Sequence, residues 1–240
     1  MLHVRAESWI IVASLITPGW IKVCGIRDAD SAVAVASAGA SAIGLNFFAK
    51  SPRSIAPDQA AVIVAKQLIQ AIGLFVNHSA VEMDAIARQV GLTALQLHGD
   101  ETPQDLHAIH ERHPDWHILK AFRVADSLRP IGEFVAECRR LGVPLAGCVL
   151  DARVEGEFGG TGKVAPWELI ANQYDRANWP PLILAGGLTC ENVTNAIRAV
   201  RPDGVDTASG VESSPGVKDT KLIARFVADA KQAFAELIRE

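Results

Sequence analysis

Aromatic residues make up only 6% of this 240-residue chain, so aliphatic side chains have to fill whatever interior it builds. The four cysteines, Cys24, Cys138, Cys148 and Cys190, form no CxxC pair, and no histidine stands with them at metal-ligand spacing. Free thiols in a reducing, cytoplasmic setting follow, and no metal site is expected. An excess of positive charge is also missing. Twenty-three Lys and Arg against 27 Asp and Glu give a net charge of -4 and a pI near 6.0, which leaves no basic patch for a nucleic acid. Long apolar runs are absent too: the run 9–16 has eight residues, against about 20 needed to cross a bilayer. No membrane contact is expected. Arg5 precedes that run as in a secretory leader, but Glu7 intervenes and no A-x-A-like site follows before Gly19. Residues 1–19 therefore read as an extension of unknown role, with a false upstream start as the alternative.

What the chain does have is a beat. Short apolar runs at 21–24, 42–48, 71–76, 94–98, 118–122, 147–151, 182–185 and 204–207 read as strands. Helical patterns follow them at 28–38, 57–69, 80–90, 103–112, 127–141, 166–173, 191–200 and 218–238, without a long linker. Pro57 and Pro103 suit a first helical turn, Thr102 and Thr189 suit caps, and Gly39 and Gly91 suit left-handed exits. Continuously apolar strands separated by helices argue for a parallel sheet covered on its outer face. The expected architecture is an α/β fold, a single-domain (β/α)8 barrel over residues 20–240 behind the short extension, with an open doubly wound sheet as the rival.

In such a barrel chemistry gathers at the C-terminal ends of the strands. Cys24 ends the first strand, Gln96 and His98 share one side of the fourth, Asp151 ends the sixth, and Asp206 lies in the eighth. Each has a plain structural alternative: a buried thiol as core filler, a capped rim histidine, or Asp151 paired with Lys163 or Arg153. Two glycine turns, Gly186-Gly187 and Ser209-Gly210, follow the last two strands, where this fold binds phosphate on backbone N–H groups. Ordinary tight turns are the alternative there. The stretch 156–163 holds four glycines and reads as a loop able to close over substrate. It is not a P-loop, because the glycines crowd Lys163 and Val164 stands where Ser or Thr is needed.

Several segments then carry a resemblance that no single pattern would. They are Lys-Val-Cys-Gly-Ile (22–26), Lys-Ser-Pro-Arg (50–53), Leu-Gln-Leu-His-Gly-Asp-Glu (95–101), Leu-Asp-Ala (150–152), Gly-Gly-Thr-Gly-Lys (159–163), Leu-Ala-Gly-Gly-Leu (184–188) and Ser-Gly-Val-Glu-Ser-Ser-Pro-Gly-Val-Lys-Asp (209–219). In this order the chain from about residue 21 onward resembles the phosphoribosylanthranilate isomerases of tryptophan biosynthesis. That resemblance implies a cofactor-free Amadori rearrangement of N-(5′-phosphoribosyl)anthranilate, a small phosphorylated substrate. It implies Cys24 as the base that takes the C2′ proton and Asp151 as the acid that protonates the ribose ring oxygen. Arg53 would hold the anthranilate carboxylate, for which a planar two-pronged donor is well shaped, with pairing to Asp58 as its plain alternative. Gln96, His98 and Asp206 would line the pocket, and Gly186, Gly187, Ser209 and Gly210 would take the phosphate.

A free thiol near pKa ~8.5 and a carboxyl near ~3.9 both need tuning for such work. The chain departs from the family pattern at Arg27, where Thr is usual, so Asp28 would have to start the first helix. It departs again at Val164-Ala165-Pro166 and at Ala208. The alternatives are a differently specific isomerase or lyase on the same barrel, or a sugar-phosphate binding protein without activity. Monomer and homodimer are both open.

Overall fold

A computed structural model describes residues 15–66, 68–124, 126–151 and 166–239. Eight parallel strands close a barrel: β1 (Trp20–Cys24), β2 (Ala42–Asn46), β3 (Gln70–Phe75), β4 (Ala94–Leu97), β5 (His117–Arg123), β6 (Leu145–Asp151), β7 (Leu182–Ala185) and β8 (Gly204–Thr207). Strand β8 pairs back onto β1, with Lys22 opposite Asp206. The helices that return each strand are α1 (Ala29–Ala38), α2 (Pro57–Val64), α3 (Ala80–Val90), α4 (Pro103–Arg112), α5 (Arg129–Arg140), α6 (Trp167–Gln173), α7 (Val193–Val200) and α8 (Thr220–Arg239). The expected (β/α)8 barrel is what forms, and the open sheet is not.

Strand alternation divides the apolar residues into two cores. One sits between strands and helices, and the other fills the barrel axis with Trp20, Ala42, Ile72, Ala94, Leu119 and Val149 among its members. Ile16 is buried with this axial group, so the chain just before β1 plugs the N-terminal end. Reading upward from these inward positions by two places reaches Lys22 and Cys24 on β1, Gln96 on β4 and Asp151 on β6. The strand pleat alone therefore turns them toward the barrel mouth.

Most of the helix signals act as expected. Asp28 caps α1 by accepting from the Ser31 N–H, which answers the departure at Arg27. Gly39 and Gly91 exit their helices in the left-handed region, and Pro57 and Pro103 occupy first turns. Thr102 forms a reciprocal capping box with Asp105. Thr102→Ala should cost about 1 kcal/mol, read as a lower urea midpoint with an unchanged slope.

Thr189 is a correction. Its hydroxyl accepts from Glu191 N and its N–H donates to Asn192 Oδ1, so it closes a turn, and α7 starts later, after Asn192. Helix α2 also stops at Val64, short of the expected 57–69, because the chain must turn to enter β3 at Gln70. A 3-10 turn at Ser209–Val211 and a small hairpin, β9 (Glu212–Ser214) with β10 (Val217–Lys218), were not legible in the hydrophobic pattern.

Residues 1–14, including most of the apolar run, and the glycine-rich stretch 156–163 lie outside the described residues, as do Arg153, Lys163 and the 164–165 departure. Among the described residues no helix is long and apolar enough to cross a membrane.

Candidate active site

The barrel mouth collects its polar groups from four strands. Lys22 is fully buried, and its Nζ donates to Asp206 Oδ2 at 2.8 Å across the β1–β8 seam. Cys24, two residues farther up, is buried as well. Burial pushes its thiol up from the ordinary value, and the charges of Lys22 and Lys218 pull the other way, while Asp206 adds to the rise. Gly44, on the neighbouring β2, makes this arrangement fit. A Cβ there would stand 2.6 Å from Cys24 Sγ and 3.0 Å from Lys22 Cε, so the thiol and the end of the lysine chain flank one point.

On β4, Gln96 Nε2 lies 3.1 Å from His98 Nδ1. With the amide nitrogen donating, the imidazole accepts at Nδ1 and carries its proton on Nε2. Burial holds the His98 pKa below its ordinary value, although the carboxylates of Asp151 and Asp206 both draw it upward. His98 is accordingly neutral at neutral pH, and it stands within the electrostatic reach of both aspartates. Two buried acceptors, Gln96 Oε1 and Asp206 Oδ1, have no hydrogen-bond partner among the described residues. Buried acceptors of that kind are costly unless a ligand supplies donors.

Arg53 sits on the loop after β2, where its Nε and Nη2 grip both carboxylate oxygens of Glu212 at 2.8 and 2.7 Å. Its plain alternative, Asp58, is a correction: that carboxylate instead accepts from Gln89. Glu212 also takes Lys218 Nζ at 2.8 Å. Burial works against its charge, yet Arg53 and Lys218 hold its carboxyl below the usual range. The Arg53 edge is thereby fixed while Nη1 stays outside this bidentate grip. Lys218 also donates to Ala208 O, which ties the strand-eight turn to the hairpin.

The two glycine turns flank the top of β7 and β8. Gly186 and Gly187 both have positive φ, 89° and 67°, a region that side chains with Cβ rarely enter. A Cβ on Gly187 would meet nothing within 4 Å, so this turn faces open space, whereas one on Gly210 would overlap the Leu188 carbonyl oxygen. A separate cavity of about 360 Å³ lies between His98 and Arg123 at the mouth and Phe134 of α5, over the buried ion pair of Lys120 with Glu101.

Every residue expected at the site is thus at the C-terminal end of the barrel. Cys24, Asp206 and Arg53 interact electrostatically, as do His98, Asp151 and Asp206. Sequence reasoning missed Lys22, Glu212 and Lys218. Lys22 had a signal, since it shares the inward face with Cys24 at a spacing of two. The Glu212 grip on Arg53 had none, because 159 residues separate the partners.

Such an arrangement defines a class: a (β/α)8 barrel with a thiol, carboxyls and a neutral imidazole gathered inside its mouth beside glycine-rich turns. A family model described as N-(5'phosphoribosyl)anthranilate (PRA) isomerase matches residues 21–229, and the chain belongs to that family. It is 41% identical over 217 residues to the N-(5'-phosphoribosyl)anthranilate isomerase of Trichlorobacter lovleyi, covering 89% of this chain and 98% of the relative. The crystal structure of phosphoribosyl anthranilate isomerase from Thermotoga maritima superposes with a TM-score of 0.75 at 35% identity, covering 89% and 98% of the two chains. A further crystal structure of the enzyme, in complex with reduced 1-(o-carboxyphenylamino)-1-deoxyribulose 5-phosphate, matches with a TM-score of 0.73 at 33% identity over the same shares.

Proposed function

We infer that this protein isomerises N-(5′-phosphoribosyl)anthranilate to 1-(2-carboxyphenylamino)-1-deoxyribulose 5-phosphate, an aldose to ketose step of tryptophan biosynthesis. The observation that carries the reading is the family match across 21–229, which spans the whole barrel mouth. Asp151 donates a proton to the ribose ring oxygen, and the anthranilate nitrogen pushes the ring open to a Schiff base. Cys24, as thiolate, then takes the C2′ proton, and the electrons move to give the enolamine that tautomerises to the ketose. The inward placement of both residues on β1 and β6 supports these roles.

Arg53 offers Nη1 to the anthranilate carboxylate, held in orientation by Glu212. Gln96 Oε1 and Asp206 Oδ1 are the acceptors for sugar hydroxyls, and their lack of partners among the described residues favours that use. The four buried free thiols fit a cytoplasmic location. Mixing the protein with freshly made phosphoribosylanthranilate and following the decay of its fluorescence tests the activity. Tight binding without decay would leave a sugar-phosphate binding protein instead.

The phosphate sits on the turns at Gly186, Gly187, Ser209 and Gly210. Gly187→Asp places a carboxylate against it and should raise KM strongly with a smaller change in kcat. Gly187→Asn carries the same backbone strain without the charge and should raise KM much less. Equal KM values for the two variants would refute the cradle.

A further inference from the structure

Burial alone leaves Cys24 a poor base: a thiol out of water keeps its proton, as the other buried thiols show. Cys138 is pushed up to about 11 and Cys148 to about 12, in both cases chiefly by burial. Yet the reaction proposed above needs the thiolate. Among the described residues the charged groups around Cys24 come from several elements. Lys22 is on its own strand, Asp206 on β8, Lys218 on β10 and Arg53 on the loop after β2, while β2 itself offers only Gly44 there. Lys218 and Arg53 are both committed to Glu212. Lys22 is the cation that lies beside the thiol inside the barrel, its chain end and Sγ flanking the same point above Gly44.

We propose that Lys22 is the positioning residue of the catalytic thiol: clamped by Asp206 at 2.8 Å, its ammonium is held beside Cys24 and stabilises the thiolate that removes the C2′ proton. This rests on Cys24 being the base. Asp206 acts in the same device as the anchor of the cation. A buried lysine without it would lose its proton or swing away; here the Asp206 carboxylate at 2.8 Å works against the effect of burial. The pair also explains how a lysine is tolerated inside the barrel, at a position where its length and charge would be a liability without a partner.

The thiolate can be read without turnover, through the pH profile of Cys24 alkylation by iodoacetamide, followed by mass spectrometry of its peptide. In the wild-type protein Cys24 should reach its midpoint at least one pH unit below Cys138 and Cys148. Lys22→Met should move the Cys24 midpoint up by a unit or more, and the acid limb of kcat/KM should move with it. At neutral pH, below both midpoints, that shift is about a tenfold loss of kcat/KM. Lys22→Arg, which keeps the charge, should restore most of the profile.

Because Lys22→Met strands the Asp206 carboxylate, whose own charge raises the thiol, Lys22→Met/Asp206→Asn is read against Asp206→Asn alone, so that the two proteins differ only in the lysine. An unmoved midpoint in the variant that folds overturns the proposal, and so does a wild-type Cys24 that titrates as high as Cys148. Turnover that survives Cys24→Ala is a different failure. It overturns the role of the thiol as base, and with it the catalytic meaning of Lys22, even where the alkylation profile responds.

Discussion

Cys24→Ala should lower kcat more than ~100-fold, and Asp151→Asn should do the same, the lower end of what a positioned acid or base contributes. In the proposed mechanism each group handles a different proton. Cys24 projects inward from β1 and Asp151 from β6, strands separated by β7 and β8 in the closed barrel. Losing the thiol would remove the base that this mechanism assigns to the C2′ proton. In the same mechanism an Asn at position 151 has no proton to give, so the ring oxygen would have to depart as an alkoxide.

KM should change far less than kcat in both variants, because an interaction that matters only in the transition state is lost from kcat. His98 feels the charge of Asp151, and Cys24 that of Asp206, so the residual rate measures any help from these neighbours. Steady-state fluorescence assays decide the matter. If both variants lose only a few fold, the assignment of acid and base is wrong. Unaltered thermal unfolding of the variants separates lost chemistry from lost structure.

A second large effect should appear in stability. Glu101, buried near the end of the loop into α4, accepts from Lys120 Nζ at 3.0 Å and from the N–H groups of Asn77 and Gly99. Lys120 in turn donates to the carbonyls of Gly99 and Ala121 and lies 5.7 Å from the Phe122 ring centroid. Glu101→Ala leaves a buried cation and two backbone donors without their partner, and should cost about 3–5 kcal/mol. Lys120→Met should cost a comparable amount, by stranding the carboxylate.

The double variant Glu101→Met/Lys120→Met should recover much of that loss, since two well-packed apolar chains replace a pair whose desolvation was itself expensive. Urea unfolding of the four proteins completes the cycle, and additive losses would show that the pair is not coupled. The same network pins Gly99, next to His98, to the ends of β3 and β5. The Glu101→Ala protein should therefore also lose turnover if it is folded at assay temperature.

Residues far apart in the chain meet here for reasons that were only partly readable. The eight strands announced themselves as apolar runs, and Thr102, Asp28, Gly39 and Gly91 marked helix ends through local hydrogen bonding and backbone sterics. Thr189 misled because a turn and a helix cap use the same hydroxyl, and nothing local says which forms first. Arg53 and Glu212 illustrate a harder limit. Each is a charged loop residue in the sequence, and their bidentate pairing depends on the closure that brings the loop after β2 to the hairpin after β8.

The amino-acid order by itself determined the barrel, the inward face of each strand and hence the candidates Cys24, Gln96, His98, Asp151 and Asp206, because pleat and periodicity are local properties of the chain. Tertiary structure decided their electrical state. Whether Cys24 feels the ammonium of Lys22, whether His98 stays neutral and what holds Arg53 depend on distances and water exclusion that exist only once the barrel has closed. Charge interactions reach through space, and the linear sequence carries no record of those distances.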